Sequence, residues 1–368
     1  MSHTIRHSYV HIPFCARICP YCAFYKTKPD PAQATRFCEA LLRELEQHAA
    51  NFALEPQTIF IGGGTPTALS TAQLEFLLGG FGDRLDLSSL TEWTVEANPG
   101  SVSARKAAAL RRLGVTRISL GVQAWQDDLL VTLGREHNAQ QAEASYRIVR
   151  DAAFSSVNID LMFGLPGQTL AQWEATLATT IALGPDHISA YCLTYEEDTE
   201  FLARHARGEY RSSESADAEF FTTAMRMLEA AGYLHYETSN YALPGHESVH
   251  NRAYWRGADY LGLGPSAFST VDLERWQNVP DYRAYTDRVL ASGSPIQTRE
   301  QLTAETKRAE RIALSLRTRD GVSSDCLAEW PNERREFLEL GLLDDRGSHF
   351  VLTEKGKLLA DSVAEAFV

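Results

Sequence analysis

Three thiols set within eight residues, Cys15, Cys19 and Cys22, are the strongest chemical signal in this sequence, while Cys38, Cys192 and Cys326 are scattered. A disulfide framework spreads its cysteines along a short secreted chain. A tight cluster in a long chain points instead to metal or redox chemistry. Thiolates at Cys-x3-Cys-x2-Cys spacing suit a [4Fe–4S] cluster, which usually takes four cysteines, with one iron left open to a small molecule. A structural zinc site closes with four protein ligands, and His11 is the only nearby residue that could complete one. Three buried cysteines without metal are the plain alternative. A second signal is Gly62-Gly63-Gly64-Thr65-Pro66-Thr67. Its glycines let a backbone approach a ligand closely. No lysine follows, so a phosphate-binding P-loop is excluded and a tight turn is the competing reading.

Side chains of this kind need elements to hold them. Residues 9–12, 58–61, 93–96, 117–120, 157–161 and 187–191 read as short β-rich runs, each followed by a longer stretch of helical spacing. Phe37, Leu41, Leu42 and Leu45 share one face of the first such stretch, as do Ala107, Leu110 and Leu113 in the third. Strands separated by helices predict an α/β fold, a parallel sheet with helices packed outside it. Six units fit either a doubly wound sheet or a partial TIM-like barrel, and periodicity does not choose. The unusual residues fall just after the strands, where both architectures build their sites.

After residue 210 the texture changes. A helix is predicted over 216–231, followed by an aromatic-rich segment, 233–268, that contains His250-Asn251-Arg252-Ala253-Tyr254-Trp255. Helices over 303–316 and within 323–340, a hairpin turn at 344–347 and a final helix capped by Thr353 read as an α+β winged-helix-like unit. The expected division is 1–210, 211–300 and 301–368. The stretch 331–341 carries more Glu than Arg, so packing or interaction is expected of this unit rather than nucleic-acid binding. The whole chain of 368 residues has 35 Lys+Arg against 48 Asp+Glu, a net charge of −13. That balance argues against a general nucleic-acid binder. No apolar run reaches the roughly 18 residues of a membrane span, and residues 1–10 lack the apolar core of a secretory signal. A cytoplasmic location is expected.

The cysteine spacing, followed by a glycine-rich turn after the next strand, resembles the radical S-adenosylmethionine (SAM) superfamily. The resemblance implies a (β/α)6 partial barrel and a [4Fe–4S] cluster on Cys15, Cys19 and Cys22. SAM would chelate the open iron and be cleaved to a 5′-deoxyadenosyl radical, the protein supplying position and electrostatics. Four further segments are more particular: 9–15, Gly121-Val122-Gln123, Asn158-Ile159-Asp160-Leu161 and Gly164-Leu165-Pro166-Gly167. Together they resemble the oxygen-independent coproporphyrinogen oxidase group over nearly the whole chain. Matching the motifs residue by residue carries SAM contacts onto Tyr9, Gly63, Gly64, Thr65, Glu96, Gln123, Arg135 and Asp160. Carboxylates would accept from ribose hydroxyls or the amino group, and Arg135 would offer a fork to a carboxylate. Taken singly, Glu96 and Asp160 could be solvated strand ends or caps, and Arg135 a surface charge.

Two departures separate the chain from the oxidases. They carry a further cysteine two residues after the third cluster ligand, where this chain has Phe24, and a substantial segment ahead of the cysteines, where this chain has fourteen residues. Both features resemble instead the haem-chaperone branch, the HemW-type proteins, as does the His-Asn-x-x-Tyr-Trp pattern at 250–255. Imidazole is a suitable axial ligand for haem iron, and Tyr and Trp offer flat apolar surface. A hydrogen-bonded structural His250 beside core aromatics stays open as the alternative. His235, His246 and Cys192 are weaker candidates. The expectation is a haem chaperone that binds haem, the cluster and SAM and delivers haem to haemoproteins, respiratory components among them. It would have no nucleic-acid partner and no membrane span, and could form a homodimer. The alternative is an oxidase that decarboxylates coproporphyrinogen III to protoporphyrinogen.

Overall fold

The computed structural model describes residues 3–28, 30–210 and 213–367. All six predicted β-rich runs are strands: β1 (Thr4–Ile12), β2 (Ala53–Gly63), β3 (Glu92–Ala97), β4 (Arg117–Gln123), β5 (Ser156–Phe163) and β6 (His187–Cys192). They pair in parallel and in sequence order, β1 with β2 through to β5 with β6. Sequential order without a reversal excludes the doubly wound sheet, whose strand order turns back on itself. The fold is the partial barrel. Every residue of β4 is buried, as a strand covered on both faces must be.

The crossover helices start where the sequence supplies caps. Asp30 caps Pro31–Ala49 and accepts from the Ala32 and Gln33 amides. Reciprocal boxes at Ser70/Gln73, Asn138/Gln141 and Thr169/Gln172 open three more helices. On Pro31–Ala49, Phe37, Leu41 and Leu45 are buried, one turn apart.

Three elements extend the sheet beyond the sequence reading. A hairpin, β7 (Leu234–Glu237) and β8 (Asn240–Ala242), adds antiparallel to β6, and β9 (Leu261–Leu263) adds parallel to β1. Strands of three or four residues are too short to show a period, which is why the segment gave no strand signal. Between hairpin and β9 runs the helix Val249–Trp255, called the His250 helix below. A second sheet joins β10 (Phe268–Val271), β11 (Glu274–Asn278) and β12 (Ile296–Gln301). Its Val271 and Trp276 pack into the barrel core. Buried Glu44 ties the parts together, accepting from Gly264 N–H (2.8 Å), Asn278 Nδ2 (2.6 Å) and the Tyr285 hydroxyl (2.5 Å).

A separate hydrophobic core, running from Ile312 to Phe367, belongs to the C-terminal unit. There β13 (Val322–Ser323), β15 (His349–Leu352) and β14 (Leu343–Asp345) form a small antiparallel sheet in that order. Helices Ala304–Leu316, Pro331–Glu339 and Ala360–Glu365 accompany it. Thr353 caps the short helix that follows β15.

Candidate functional site

The cysteine loop leaves the end of β1 and is closed on itself. Cys15 N–H donates to the Thr27 carbonyl (2.9 Å), Thr27 N–H to the Pro13 carbonyl (2.7 Å), and Cys22 N–H to the Cys19 carbonyl (3.2 Å). Lys26 donates to the Cys22 carbonyl. Two side chains reach the sulfurs: the Thr65 hydroxyl, just past β2, lies 3.6 Å from Cys15 Sγ, and Arg135 Nη1, after the short helix that follows β4, lies 3.7 Å from Cys19 Sγ. Burial raises the Cys15 thiol above its ordinary range, against the pull of the Thr65 hydroxyl and the Arg135 guanidinium.

Among the described residues, the only three His, Cys, Asp or Glu ligand atoms all within 4.8 Å of one another belong to His3, Asp259 and Asp272. The cysteine sulfurs are therefore set wider than the about 3.8 Å edge of a tetrahedral thiolate set around one zinc. His11 also fails as a fourth zinc ligand. Its Nε2 is bonded to the Tyr25 carbonyl (2.9 Å) and its Nδ1 to the Tyr9 hydroxyl (3.0 Å). Three spread thiols with no described residue to complete them as a zinc site fit a cubane with one open iron.

The glycine-rich turn needs its glycines. Gly63 has φ +104°, and a Cβ there would lie 2.5 Å from the His11 ring. At Gly64 a Cβ would meet the Phe14 carbonyl at 2.8 Å, while the Gly64 N–H donates to the Ile12 carbonyl (2.8 Å). Glu96 accepts from Gly63 N–H (3.1 Å), and its withdrawal from solvent, with the Asp160 carboxylate adding to it, lifts its carboxyl to about 8. Burial also raises Asp160, against bonds from the Ser119 hydroxyl (3.1 Å) and Asn158 Nδ2 (2.5 Å). These two carboxyls, on β3 and β5 with β4 between them, can accept from a cationic or hydroxyl-bearing ligand.

Tyr9, Gly63, Glu96 and Asp160 line a cavity of about 1150 Å³. His250, Tyr254 and Trp255 share its wall, with Tyr25 and Phe268, and Phe60 stands between Tyr9 and His250. Of the remaining sequence-predicted residues, Gly64, Thr65 and Arg135 sit behind the cavity wall against the cysteine loop. Arg135 spends Nη2 on Asn98 Oδ1 and the Gly121 carbonyl, both at 2.6 Å. Gln123, at φ +72°, accepts from the hydroxyl of Tyr191, itself a wall residue.

His250 is 3% exposed, and burial pushes its imidazole down to about 3. It stacks on Phe60 at 5.2 Å and lies against Tyr254 at 5.0 Å. Its Nδ1 shares the Thr58 hydroxyl (2.7 Å) with His7 Nδ1 (2.9 Å), and no described residue bonds its Nε2. One hydroxyl proton serves one imidazole, so the two neutral rings present opposite Nδ1 states to Thr58. Both nitrogens of His235 are engaged, by the Thr238 carbonyl and Lys357 (3.1 and 3.0 Å).

Several residues of this site lay outside the sequence reading. Glu92, at the start of β3, caps the His250 helix: it accepts from the Ser248 hydroxyl (3.1 Å) and from the Val249 and His250 amides (2.9 and 3.0 Å). Asn98 bridges Thr65 (2.7 Å) and Arg135. Asn158 connects Asp160 to His187 (2.6 Å), whose Nε2 meets the Tyr236 hydroxyl (2.8 Å), which in turn accepts from Ser248 N–H (3.2 Å). A hydrogen-bonded chain thus runs from Asp160 to the start of the His250 helix. Asn158 stood inside a quoted motif, its only sequence signal.

A sequential partial barrel with an open three-cysteine loop at the end of its first strand defines a radical SAM protein, and residues 9–179 match the family described as the Radical SAM superfamily. The chain is 37% identical over 376 residues to "Heme chaperone HemW" of Bacillus subtilis, covering 99% of each chain. It is 34% identical over 373 residues to the protein of the same description from Escherichia coli, covering 98% of this chain and 97% of that one. Among solved structures it is similar to the E. coli coproporphyrinogen III oxidase HemN, described as a radical SAM enzyme, with TM-score 0.84 and 25% identity. That match covers 99% of this chain and 90% of HemN. The chain belongs to the HemW family of the radical SAM superfamily.

Proposed function

We propose that this protein is a haem chaperone, binding haem, a [4Fe–4S] cluster and SAM, and passing haem to haemoproteins. The observation that carries the reading is that one cavity is lined both by Glu96 and Asp160 and by His250, Tyr254 and Trp255. Cys15, Cys19 and Cys22 hold the cluster, which when bound supplies electrons one at a time. Glu96 and Asp160 orient SAM by accepting from its amino and hydroxyl groups, with Tyr9 and the Gly63 backbone beside them. We assign the Nδ1 proton to His250, donated to Thr58, so that the Nε2 lone pair is free to bind haem iron. A second-partner bond of this kind fixes the tautomer of a metal-binding histidine.

The receiving proteins are haemoproteins, with membrane-bound respiratory components as the specific proposal. Among the described residues no helix is long and apolar enough to cross a membrane, and a net charge of −13 provides no polybasic anchor. Delivery from the cytoplasm through protein contacts, by a homodimer, is the arrangement we favour.

The test is anaerobic incubation of the cluster-loaded protein with SAM, a reductant and coproporphyrinogen III, with haem binding and transfer to an apo-haemoprotein measured in parallel. Haem bound and transferred, with no protoporphyrinogen formed, is the expected result. Catalytic accumulation of protoporphyrinogen would overturn the chaperone reading in favour of an oxidase. A haem spectrum of His250→Ala identical to wild type would move the axial ligand elsewhere.

A further inference from the structure

On the other side of the His250 helix lies a second cavity, of about 910 Å³, between the barrel and the C-terminal unit. Its walls converge five arginines: Arg252 and Arg256 at the His250 helix, Arg311 and Arg319 at the helix before β13, and Arg346 in the turn between β14 and β15. Facing them are Glu237, Glu247 and Asp320. Asp320 is taken by Arg252 (3.7 Å) and Arg256 (3.2 Å). Glu237 is buried and bonded to Asn240 and to Ser239 N–H (3.1 Å). Among the described residues, Arg311, Arg319 and Arg346 have no carboxylate oxygen within 4.0 Å. Lys357 nearby is pushed down by burial, and Arg319 and Arg346 add to that fall against the opposing Glu229 and Glu354.

Three solvent-exposed guanidiniums, Arg311, Arg319 and Arg346, thus stand around one cavity without a carboxylate in contact, with Glu247 facing the same space. Guanidinium forks match carboxylates in bidentate geometry, and the volume is that of a site for a cofactor-sized ligand. The cavity is not uniformly polar, since Tyr236 and Trp255 form part of its wall. Trp255 and Glu237 border both this cavity and the one that reaches SAM. Cys326 and His349 also line it, two side chains of the types that hold haem iron.

We propose that this chamber is a second haem station, in which Arg311, Arg319 and Arg346 grip the propionate carboxylates at the edge of the macrocycle and Trp255 is the wall shared with the first cavity. The inference rests on the haem-chaperone reading and adds a place from which haem can leave on the C-terminal side.

The test uses the full-length, cluster-loaded protein and its R319A/R346A variant, titrated with haem and with haem dimethyl ester, in which both carboxylates are blocked. Wild type is expected to prefer the free acid by about tenfold or more, the worth of a charge-assisted bond. The variant should lose that preference while SAM binding is unchanged. R319K/R346K, which keeps the charge and removes the fork, should fall between the two. An alanine variant that keeps the full free-acid preference overturns the proposal and leaves the chaperone reading standing. Binding of inorganic pyrophosphate that is lost in R319A/R346A, with haem binding indifferent to both, also overturns it and makes the chamber a phosphate site. Failure of wild type to bind haem at all sinks the chaperone reading and this station with it.

Discussion

Glu96 holds its proton more tightly in the folded chain than outside it. Its carboxyl titrates near 4.5 ordinarily and at about 8 here, raised by burial first and by Asp160 second. A raised acid contributes stability that is full below about pH 4.5 and lost as the pH rises toward 8. The thermal midpoint of the SAM-free protein should therefore fall between pH 5 and pH 8.5, and Glu96→Gln should flatten that fall; parallel curves would show that another group is responsible. Asp160→Ala is expected to weaken SAM binding about 10- to 100-fold while iron content stays at the wild-type level. Undiminished SAM affinity would move the contact to another residue. The cysteines and the glycine turn were legible in the sequence because their chemistry depends on spacing along one strand end. Thr58, Asn158 and His187 were not, because each acquires its role from a partner on another strand, as His187 does from Asn158 and Tyr236.

The His250 helix is only seven residues long, Val249–Trp255. Helices of that length are marginal alone, and this one is held by the Glu92 carboxylate at its first turn. Removing that cap in Glu92→Ala should cost about 2 kcal/mol, read by chemical denaturation. It should also alter the optical spectrum of bound haem, because His250 N–H is one of the amides released. A variant with wild-type stability and spectrum would show that the helix is positioned by packing alone. The six barrel strands were read from sequence because each is a short run enriched in β-branched and aromatic residues followed by a stretch of helical spacing. Their order was not, since periodicity carries no pairing partner. The sequential parallel ladder supplies it.

Besides a small cluster around Leu129, Leu165 and Phe201, the described residues form two main hydrophobic cores, one around the barrel and one in the C-terminal unit. Between them lies the arginine-lined chamber rather than a continuous apolar interface. Scanning calorimetry should accordingly resolve more than one transition, with a van't Hoff enthalpy below the calorimetric one. A single transition with equal enthalpies would mean the two cores melt as one. The pairing of β1 with β9 sets a further constraint, in time rather than in space. Residues 8–10 are flanked by residues 261–263, and that neighbour emerges from the ribosome long after the cysteine loop. Pairings of such separation form late, and chains fold from the N-terminus as they are made. A nascent chain therefore offers its three thiols to iron and sulfide donors while that side of the barrel is still open, and β9 closes it only after the loop has been accessible for most of translation.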